Sequence, residues 1–577
     1  MNSEARLKNA VTPLVALLLL SCASEIRRFP LDEPMWRDEE DFRTFTPMPE
    51  EYFSPFAWDG ADQMLFRPMS RFFQVDPARE SVNVNAMDEV PDSSWFTNRL
   101  SRQRMTTEEI VRGSCEGDPL DDNVAPWTIT SAKPNGANPG FIMEDAQGRK
   151  FLLKFDGLQQ PERATAADIM GSRMYYAAGY FAPCNRLVFF NREILEIADD
   201  AEVEVLGDKR PMTWEMLEPM FARAPRLPDG RMRAASSQFL PGRPIGPWRY
   251  ESTRDDDPND VIPHEDRREL RGGYVIASWI NHFDAREQNT LSMWIAEENG
   301  RGHVRHNYID FGDSFGSLWA WDGISRRLGH ASYFDIRTLM VDFVTLGILP
   351  RPWNKMRYGP AGETLGYFDD WYFEPDQWEP GYPNPAFLKA SEHDNAWMGR
   401  ILANLTPEHI EAIVNEAKVT NELTHNELVR ILQGRHRRIL RRWLGRLSPL
   451  TWPVLEERED GVRLCLRDLA VSTDLIEWEN RPYWARAWRH AGGNDLEPVE
   501  VTGLSRQHPD RVCAPLPSTD ASESDPAYWI VDVAGQWGAE DDDALPARVH
   551  LYQLGPRRYR IVGLERPDHQ GEPGPRD

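Results

Sequence analysis

The 577-residue sequence is short of basic residues. It contains 66 Lys and Arg residues against 92 Asp and Glu residues, which gives a formal net charge of −26. A protein that coats DNA or RNA needs a cationic surface to replace the counterions of the phosphates, so this deficit argues against a nucleic-acid partner. With 41% hydrophobic and 27% charged residues, the chain is nevertheless typical of a globular protein and not of a disordered one.

Cysteine is also scarce, with five residues, and no two of them have the C-x-x-C spacing of a zinc site. The histidines lack the H-x-x-x-H spacing of a helical zinc site, so we interpret them as capping or core residues; those considered are His264, His282, His303 and His306. Beyond the N-terminus, no hydrophobic run is long enough to predict a transmembrane helix. These absences leave no pattern that predicts a zinc enzyme or a membrane-spanning protein.

The N-terminus has the layout of a secretory leader. Two basic residues precede an apolar run at 11–20, which is too short to cross a bilayer. The tetrad LLSC at 19–22 resembles a bacterial lipobox, which implies cleavage after residue 21 and lipid attachment to Cys22. The alternative is an ordinary signal peptide that ends in cysteine. A lipobox predicts a lipid-anchored protein of the cell envelope that faces outside the cytoplasm, and the absence of an acidic residue after Cys22 favours the outer membrane.

Four cysteines follow the leader: Cys115, Cys184, Cys465 and Cys513. Outside the cytoplasm they can form disulfides, and four cysteines allow three connectivities. Cys465 and Cys513 lie in the same C-terminal region, which makes them the simplest pair to expect. The sequence leaves the connectivity open.

Changes of pattern along the chain predict five segments. Residues 1–21 form the leader, and 22–126, rich in proline, aromatic and acidic residues, form a tether and an irregular extension. Short β-prone runs separated by turn residues occupy 127–260, and helical periodicity dominates 261–450. Short strand-like runs from 451 to 577 predict a small β-rich domain.

One predicted helix, 428–447, is rich in arginine. Its apolar residues lie on one side, and we interpret its arginines as a solvated face that pairs with the carboxylates of this acidic protein. A membrane-surface role is the alternative. The arginines concerned are Arg435, Arg437, Arg438, Arg441 and Arg442.

A polar hexapeptide interrupts a hydrophobic region. In SWINHFDAREQNTLSMWI, Asp284 and Asn289 lie five positions apart, between a helical pattern and a β-prone run. The runs LSMWI and VRHNYI follow as a predicted hairpin joined by EENGRG, and the second run leads into Asp310-Phe311-Gly312. Closure of that hairpin brings Asn289 and Asp310 together. Their side-chain oxygens are the ligands that Mg²⁺ prefers.

The region before this loop supplies a second set of polar and small residues. Three β-prone runs end at Lys154, and a predicted helix with Asp168 follows, for which Thr165 is the expected cap. Between two of the runs lies the small-residue stretch NGANPGF, with Gly136 and Gly140. The plain alternatives are that Lys154 is a surface lysine and Asp310 a turn residue.

The order of these elements resembles the protein-kinase-like superfamily over residues 127 to 450. It is closer to the HipA-type and CotH-type branches than to eukaryotic signalling kinases. The resemblance implies an α+β class and a bilobal kinase-like fold, with a small β-rich lobe at 127–260 and a larger helical lobe at 261–450. The irregular N-terminal extension and the small β-rich C-terminal domain would flank these lobes.

The resemblance also implies an activity and roles for the polar residues. The protein would be a phosphotransferase that uses ATP and Mg²⁺ on a protein, sugar or lipid acceptor. Asn289 and Asp310 would bind the metal, and Asp284 would accept or orient the proton of the attacking hydroxyl. Arg286, in the same loop, would stabilise either phosphate charge or the acceptor. Asp313 would be either a second-shell or metal contact or a solvated turn residue.

In the smaller lobe, the resemblance assigns Lys154 to the nucleotide phosphates. Asp168 would hold this lysine in place of the usual glutamate, with Glu162 as the reserve candidate. Gly136 and Gly140 would let backbone N–H groups approach the phosphates.

Two other functions remain open on the same fold. The first is a catalytically silent pseudokinase-like scaffold, which the scarcity of ATP outside the cytoplasm favours. Joint retention of Lys154, Asp284, Asn289 and Asp310 argues against it. The second is nucleotidyl transfer (AMPylation), which some kinase folds perform with ATP bound in the opposite direction.

Overall fold

The computed structural model describes residues 26–72, 79–102, 104–133, 139–205, 208–222, 224–538 and 543–573. It is a mixed α+β structure with several sheets. The chain divides into two compact units. The first comprises Met35–Asn85 and Glu89–Gly445, and the second comprises Met1–Pro34, Ala86–Asp88 and Arg446–Asp577.

The described part of the first unit contains twelve helices. They are α1 (Phe56–Ala61), α2 (Arg67–Phe72), α3 (Thr107–Arg112), α4 (Arg163–Ala178), α5 (Trp214–Phe221), α6 (Arg268–Ile280), α7 (Asp322–Ser325), α8 (Ile336–Thr345), α9 (Pro385–Leu388), α10 (Glu392–Leu402), α11 (Pro407–Glu416) and α12 (Glu422–Leu444). A π-helical segment, Asp62–Phe66, joins α1 to α2. The region before residue 126, predicted to be irregular, therefore includes short helices.

A seven-stranded sheet forms the β-structure around Lys154. Its strands are β1 (Trp127–Ala132), β2 (Gly140–Glu144), β3 (Lys150–Lys154), β4 (Asn185–Phe190), β5 (Leu195–Val205), β6 (Asp208–Pro211) and β7 (Met232–Gln238). Their order is β4-β7-β3-β2-β1-β5-β6, and only the β1–β5 pair is parallel. Alternate residues of β3, Phe151 and Leu153, enter an apolar core to which α5 contributes Leu217 and Phe221.

A second, three-stranded sheet carries the predicted hairpin. Its strands are β8 (Arg243–Gly246), β9 (Thr290–Ala296) and β10 (Gly302–Tyr308), in the order β10-β9-β8. Thr290 pairs with Tyr308, and the N–H of Ile309 donates to the carbonyl of Asn289 over 2.9 Å. The hairpin therefore places Asn289 beside the residue that precedes Asp310, as the sequence predicts.

The start of α4 differs from the prediction. The helix begins at Arg163, two residues before the expected cap. The backbone N–H and the hydroxyl of Thr165 both donate to the carboxylate of Asp156, at 2.8 and 2.7 Å. Asp156 lies in the segment after β3, so the first turn is capped by a residue that the local helix pattern does not contain.

The arginine-rich helix α12 is only partly the solvated face that was predicted. Arg442 pairs with Glu392 at 2.7 Å and Arg438 with Glu374 at 3.5 Å, in agreement with the prediction. Arg435 is buried, so the prediction is wrong for it. Its guanidinium donates to the last carbonyls of α6, those of Ser278 and Trp279, both at 2.6 Å.

The second unit is built from two antiparallel sheets. Its strands are β11 (Leu450–Arg458), β12 (Gly461–Asp468), β13 (Tyr483–Gly492), β14 (Asp495–Val499), β15 (Ser505–His508), β16 (Arg511–Pro515), β17 (Ala527–Gly535), β18 (Ala547–Gly555) and β19 (Arg558–Glu565), with one short helix, α13 (Leu469–Ser472). The strand orders are β11-β12-β16-β15 and β14-β13-β17-β18-β19. Inward side chains such as Leu464, Val531 and Val549 form a shared apolar core.

Both pairs of cysteines are joined. Cys465 faces Cys513 across β12 and β16, and their sulfurs are 2.07 Å apart, so this predicted pair is confirmed. Cys115 and Cys184 form the other disulfide, at 2.06 Å, within the first unit. In the described part of the chain, no helix combines the length and the apolarity needed to cross a membrane.

Buried histidines should make the fold sensitive to mild acid. Burial lowers the pKa of His436 and of His330 to about 4, against 6.5 in the unfolded chain. Between pH 6.5 and 4 the unfolded chain binds protons that the folded chain does not. The free energy of unfolding should therefore decrease as the pH is lowered through this window, by about 1.4 kcal/mol per pH unit for each such histidine.

Urea unfolding at pH 7.5, 6 and 5 measures this effect. His436→Gln should reduce the loss of stability between pH 7.5 and 5. His425→Gln, on the same helix, should leave the loss unchanged, since its imidazole contacts the side-chain amides of Asn415 and Asn426 and not a carboxylate. An identical pH slope in the wild type and in His436→Gln would show that His436 does not contribute.

Candidate active site

The ammonium of Lys154 joins two distant parts of the chain. Its Nζ lies 2.9 Å from Oδ2 of Asp168 on α4 and 2.8 Å from Oδ1 of Asp310, which follows β10. Lys154 is only 6% exposed, whereas Lys150 at the other end of β3 is exposed and pairs with Glu144. Lys154 is thus a buried lysine between two carboxylates and not a surface lysine.

Helix α4 holds both the lysine and the segment after β10. While Oδ2 of Asp168 accepts from Lys154, its Oδ1 accepts from the N–H of Phe311 at 3.0 Å. One turn along α4, a Cβ on Gly171 would lie 2.5 Å from the Cβ of Phe311. A glycine is therefore required for this close approach, which fixes Asp310-Phe311-Gly312 against the helix.

The reserve candidate is not part of this arrangement. The carboxylate of Glu162 accepts hydrogen bonds from the N–H and the hydroxyl of Thr420, at 2.9 and 3.1 Å. Of the two acids considered, Asp168 is the one that pairs with Lys154.

The loop before β9 forms its own hydrogen-bonded unit. The side-chain N–H of Asn289 donates to Oδ2 and to the backbone carbonyl of Asp284, both at 2.8 Å. Arg286 lies 3.2 Å from the other carboxylate oxygen of Asp284 and donates to the hydroxyl of Tyr382 at 3.0 Å. Asp284 and Asn289 are thus in direct contact, and the hairpin register places both near Asp310.

The charges of the site shift one another's protonation. Burial raises the pKa of Asp284 to about 7, and the carboxylates of Asp313 and Asp310 add to this rise. Burial acts in the same direction on Asp310, but the ammonium groups of Lys154 and Lys133 outweigh it and hold the pKa of Asp310 well below its usual value. Asp310 therefore stays ionised at pH 7, whereas the carboxyl group of Asp284 gains or loses its proton near pH 7.

Sequence reasoning missed Lys133, which follows β1. Burial lowers the pKa of Lys133, and the carboxylates of Asp310 and Asp168 oppose this shift, so its ammonium belongs to the same group of charges. Its backbone N–H donates to the carbonyl of Gly140 at 3.1 Å. The available signal was a lysine between a β-prone run and the small-residue stretch.

Two polar residues at the start of α4 contact the chain after Asp310: Gln160, just before the helix, and Arg163, its first residue. Sequence reasoning missed both. Arg163 donates to the carbonyls of Gly312 and Ser314, at 2.6 and 3.0 Å. Gln160 donates to the carbonyl of Gly316 at 2.9 Å. These contacts join residues about 150 positions apart, and no local pattern indicates them.

The histidine of the polar loop is buried beside Asp310. His282 contacts the hydroxyl of Tyr175 through Nδ1 at 2.9 Å. Burial lowers the pKa of His282 to about 4, although the Asp310 carboxylate opposes the shift. The imidazole is therefore neutral at pH 7 and supports the loop without adding charge to it.

The two glycines assigned to phosphate binding have different outcomes. Gly140 lies in β2, where a Cβ would come within 2.2 Å of the carbonyl oxygen of Leu153, so close strand approach already requires a glycine there. Gly136 lies outside the described residues, as does Cys22. Their predicted roles stay predictions.

The segment Gly312-Asp313-Ser314-Phe315-Gly316 has the G-x-S-x-G spacing of a hydrolase nucleophile elbow. In such an elbow the serine hydroxyl is exposed at a turn between a strand and a helix. Ser314 is fully buried, so the motif does not provide an accessible nucleophile here.

Comparisons with known proteins add little to this geometry. No protein-family model matches the sequence, and no curated protein matches it. Among solved structures, the chain is similar to the proinflammatory kinase CtkA of Helicobacter pylori, with 11% identity and a TM-score of 0.28. The similarity covers 54% of this chain and 98% of that chain. It is weak, and the inferences below rest on the residues of the site.

Replacement of Lys154 should destabilise the fold. Lys154→Met leaves the carboxylates of Asp168 and Asp310 without their shared cation, which should lower the free energy of unfolding by about 3 kcal/mol. Lys150→Met on the same strand is the matched control and should cost less than about 0.5 kcal/mol. Urea unfolding at pH 7.5 measures both, and equal losses would contradict the buried ion pairs.

Proposed function

We propose that the protein is an ATP- and Mg²⁺-dependent phosphotransferase of kinase-like fold. The observation that carries the proposal is the double ion pair of Lys154 with Asp168 and Asp310, at the base of the hairpin that also holds Asn289 against Asp284. Phosphoryl transfer depends mainly on positioning and charge neutralisation, and these residues supply both.

Asn289 and Asp310 suit a Mg²⁺ ion. The amide nitrogen of Asn289 is used by Asp284, which leaves the amide oxygen as the ligand atom. Oδ1 of Asp310 accepts from Lys154. The side chain of Asp310 is 34% exposed, so its carboxylate can be reached from solvent. A bound Mg²⁺ would neutralise phosphate charge, and the low pKa of Asp310 keeps its carboxylate ready as a ligand.

Lys154 and Lys133 would orient the nucleotide phosphates. A lysine ammonium has three N–H donors, and two of those on Lys154 are used by Asp168 and Asp310. The third is then available to a phosphate oxygen. Lys133 adds a second cation to the same group of charges.

Asp284 would act on the acceptor hydroxyl. Its pKa of about 7 suits a group that takes up a proton near neutral pH. Arg286 holds one of its carboxylate oxygens and Asn289 holds the other, which fixes the direction of the carboxylate. The acceptor is left as a protein, sugar or lipid hydroxyl.

We propose further that the protein is a lipoprotein of the outer membrane, anchored through Cys22. The LLSC tetrad supports this, and so do the disulfides Cys115–Cys184 and Cys465–Cys513, since disulfides persist in oxidising compartments outside the cytoplasm.

Nucleotide binding can be measured by thermal and urea unfolding. Mg²⁺·ATP at 100 times its dissociation constant should raise the free energy of unfolding by about 2.7 kcal/mol. Asp310→Asn should remove the part of this gain that requires Mg²⁺, whereas Asp322→Asn, at an exposed position, should keep it. If the wild type gains no stability, the protein is a scaffold and not a phosphotransferase.

Transfer is tested with ATP labelled at the γ- or the α-phosphate and cell-envelope extract as acceptor. Only the γ-label should be transferred. Asp284→Asn should bind Mg²⁺·ATP as the wild type does and lower the transfer rate by about 10²-fold or more. Transfer of the α-label would replace the proposal with nucleotidyl transfer, and full activity of Asp284→Asn would remove Asp284 from the mechanism.

The anchor is tested in a bacterial host that processes lipoproteins. The wild type should incorporate labelled palmitate and sediment with the outer membrane. Cys22→Ala should lose the label, with Cys115 and Cys184 still joined as a folding control. Cleavage of the wild type to a soluble, unlabelled protein would support the ordinary signal peptide instead.

A further inference from the structure

The chain between residues 339 and 349 exposes an unusual amount of apolar surface. Seven side chains in this stretch, here called the 339–349 patch, are at least half exposed: Leu339 (50%), Met340 (56%), Phe343 (76%), Val344 (74%), Leu346 (84%), Ile348 (78%) and Leu349 (50%). They belong to α8 and to the turn that ends it. Single exposed apolar residues are normal on protein surfaces, but contiguous patches mark an interaction site.

The orientation of α8 shows that the exposure is built into the fold. A surface helix usually turns its apolar face to the core. In α8 the polar residues Thr338, Asp342 and Thr345 are half-buried, as is Val341 beside them, while Leu339, Met340, Phe343 and Val344 are exposed. Arg351 holds the polar side, donating to Oδ1 of Asp342 at 2.9 Å and to the carbonyl of Thr338 at 3.1 Å. The helix is therefore attached by its polar side and presents its apolar side to solvent.

The charge around the patch is opposite to that of the whole protein. Between residues 318 and 358 there are six basic and three acidic residues, in a chain with a net charge of −26. Lys355 and Arg357, just after the patch, are exposed. The basic residues are Arg326, Arg327, Arg337, Arg351, Lys355 and Arg357, and the acidic ones are Asp322, Asp335 and Asp342. An apolar face flanked by basic residues is complementary to an anionic lipid surface.

We infer that the 339–349 patch inserts into the interface of an anionic lipid membrane. A helix of ten residues is about 15 Å long and lies in the plane of the membrane instead of crossing it. Phe343, Val344 and Ile348 enter the boundary between headgroups and acyl chains, and the exposed Lys355 and Arg357 meet the lipid phosphates. This inference is independent of the proposed transfer activity. The sequence offered the arginine-rich α12 as a possible membrane-surface helix. The present inference places the membrane-facing element at α8 instead.

A fluorescent probe on the patch tests the inference with the exported, processed protein. Phe343→Cys is labelled with an environment-sensitive dye under non-reducing conditions, so that both disulfides stay closed, and mass spectrometry verifies a single label. Leu158→Cys, at a position that is 70% exposed in the same unit, is the matched control. Vesicles of phosphatidylglycerol and phosphatidylcholine, with and without nitroxide-labelled lipid, are then added.

At position 343, emission should shift to the blue, and nitroxide lipids should quench the dye at least threefold more than at position 158. The effect should weaken in pure phosphatidylcholine and at high salt. Adding Val344→Ser and Ile348→Ser to the labelled protein should abolish the difference, while Val261→Ser, at a loop position that is 74% exposed, should not.

Three results would overturn the inference. Equal quenching at positions 343 and 158 would mean that the patch is not inserted. A blue shift that depends on protein concentration, without nitroxide quenching, would identify a second copy of the chain as the occupant. If adding vesicles does not shift the emission of the dye at position 343, the patch stays in water.

Discussion

The ion pairs of Lys154 hold together the part of the structure on which the rest depends. They join the last residue of β3 to a residue of the next helix, α4, and to Asp310 in the segment after β10, which is 156 positions away in the sequence. Taking a lysine and two carboxylates out of water is costly, and apolar residues of the same volume often stabilise a fold better than a buried ion pair. The arrangement is therefore weakly explained by stability alone. The proposed phosphate and Mg²⁺ site, which would need a fixed arrangement of charges, would explain it better.

The surroundings of these ion pairs remove freedom from each partner. Asp168 is fixed because its second oxygen is bound by the N–H of Phe311, and Gly171 allows α4 to approach that residue. Arg163 and Gln160 bind carbonyls further along the same segment. Asp310 therefore projects from a segment that is fixed on several sides. Such preorganisation is what electrostatic catalysis requires, since dipoles that need not reorient stabilise charge at no further cost.

How far the sequence predicts this site depends on the range of the contacts. The pairing of Asn289 with the segment that precedes Asp310 follows from a hairpin, which local patterns reveal. The Lys154–Asp168 pair was expected only from the resemblance to the kinase-like superfamily, since local patterns do not say which acid faces the lysine. Lys133, Gln160 and Arg163 act through tertiary contacts that no local period encodes. Arg435 shows the same limit, since its position in an arginine-rich helix predicts exposure and only the packing of α6 against α12 buries it.

The orientation of α8 shows why amphipathicity alone does not locate a core. Periodicity identifies the two faces of a helix but not which face meets the protein, because that depends on what the neighbouring chain offers. Here the neighbour is Arg351, a cation that pairs with Asp342 and so favours contact with the polar face. Leaving seven large apolar side chains in water has a cost that folding does not recover. That cost is recovered only when something apolar covers them, so α8 makes sense in a protein that works against a lipid surface.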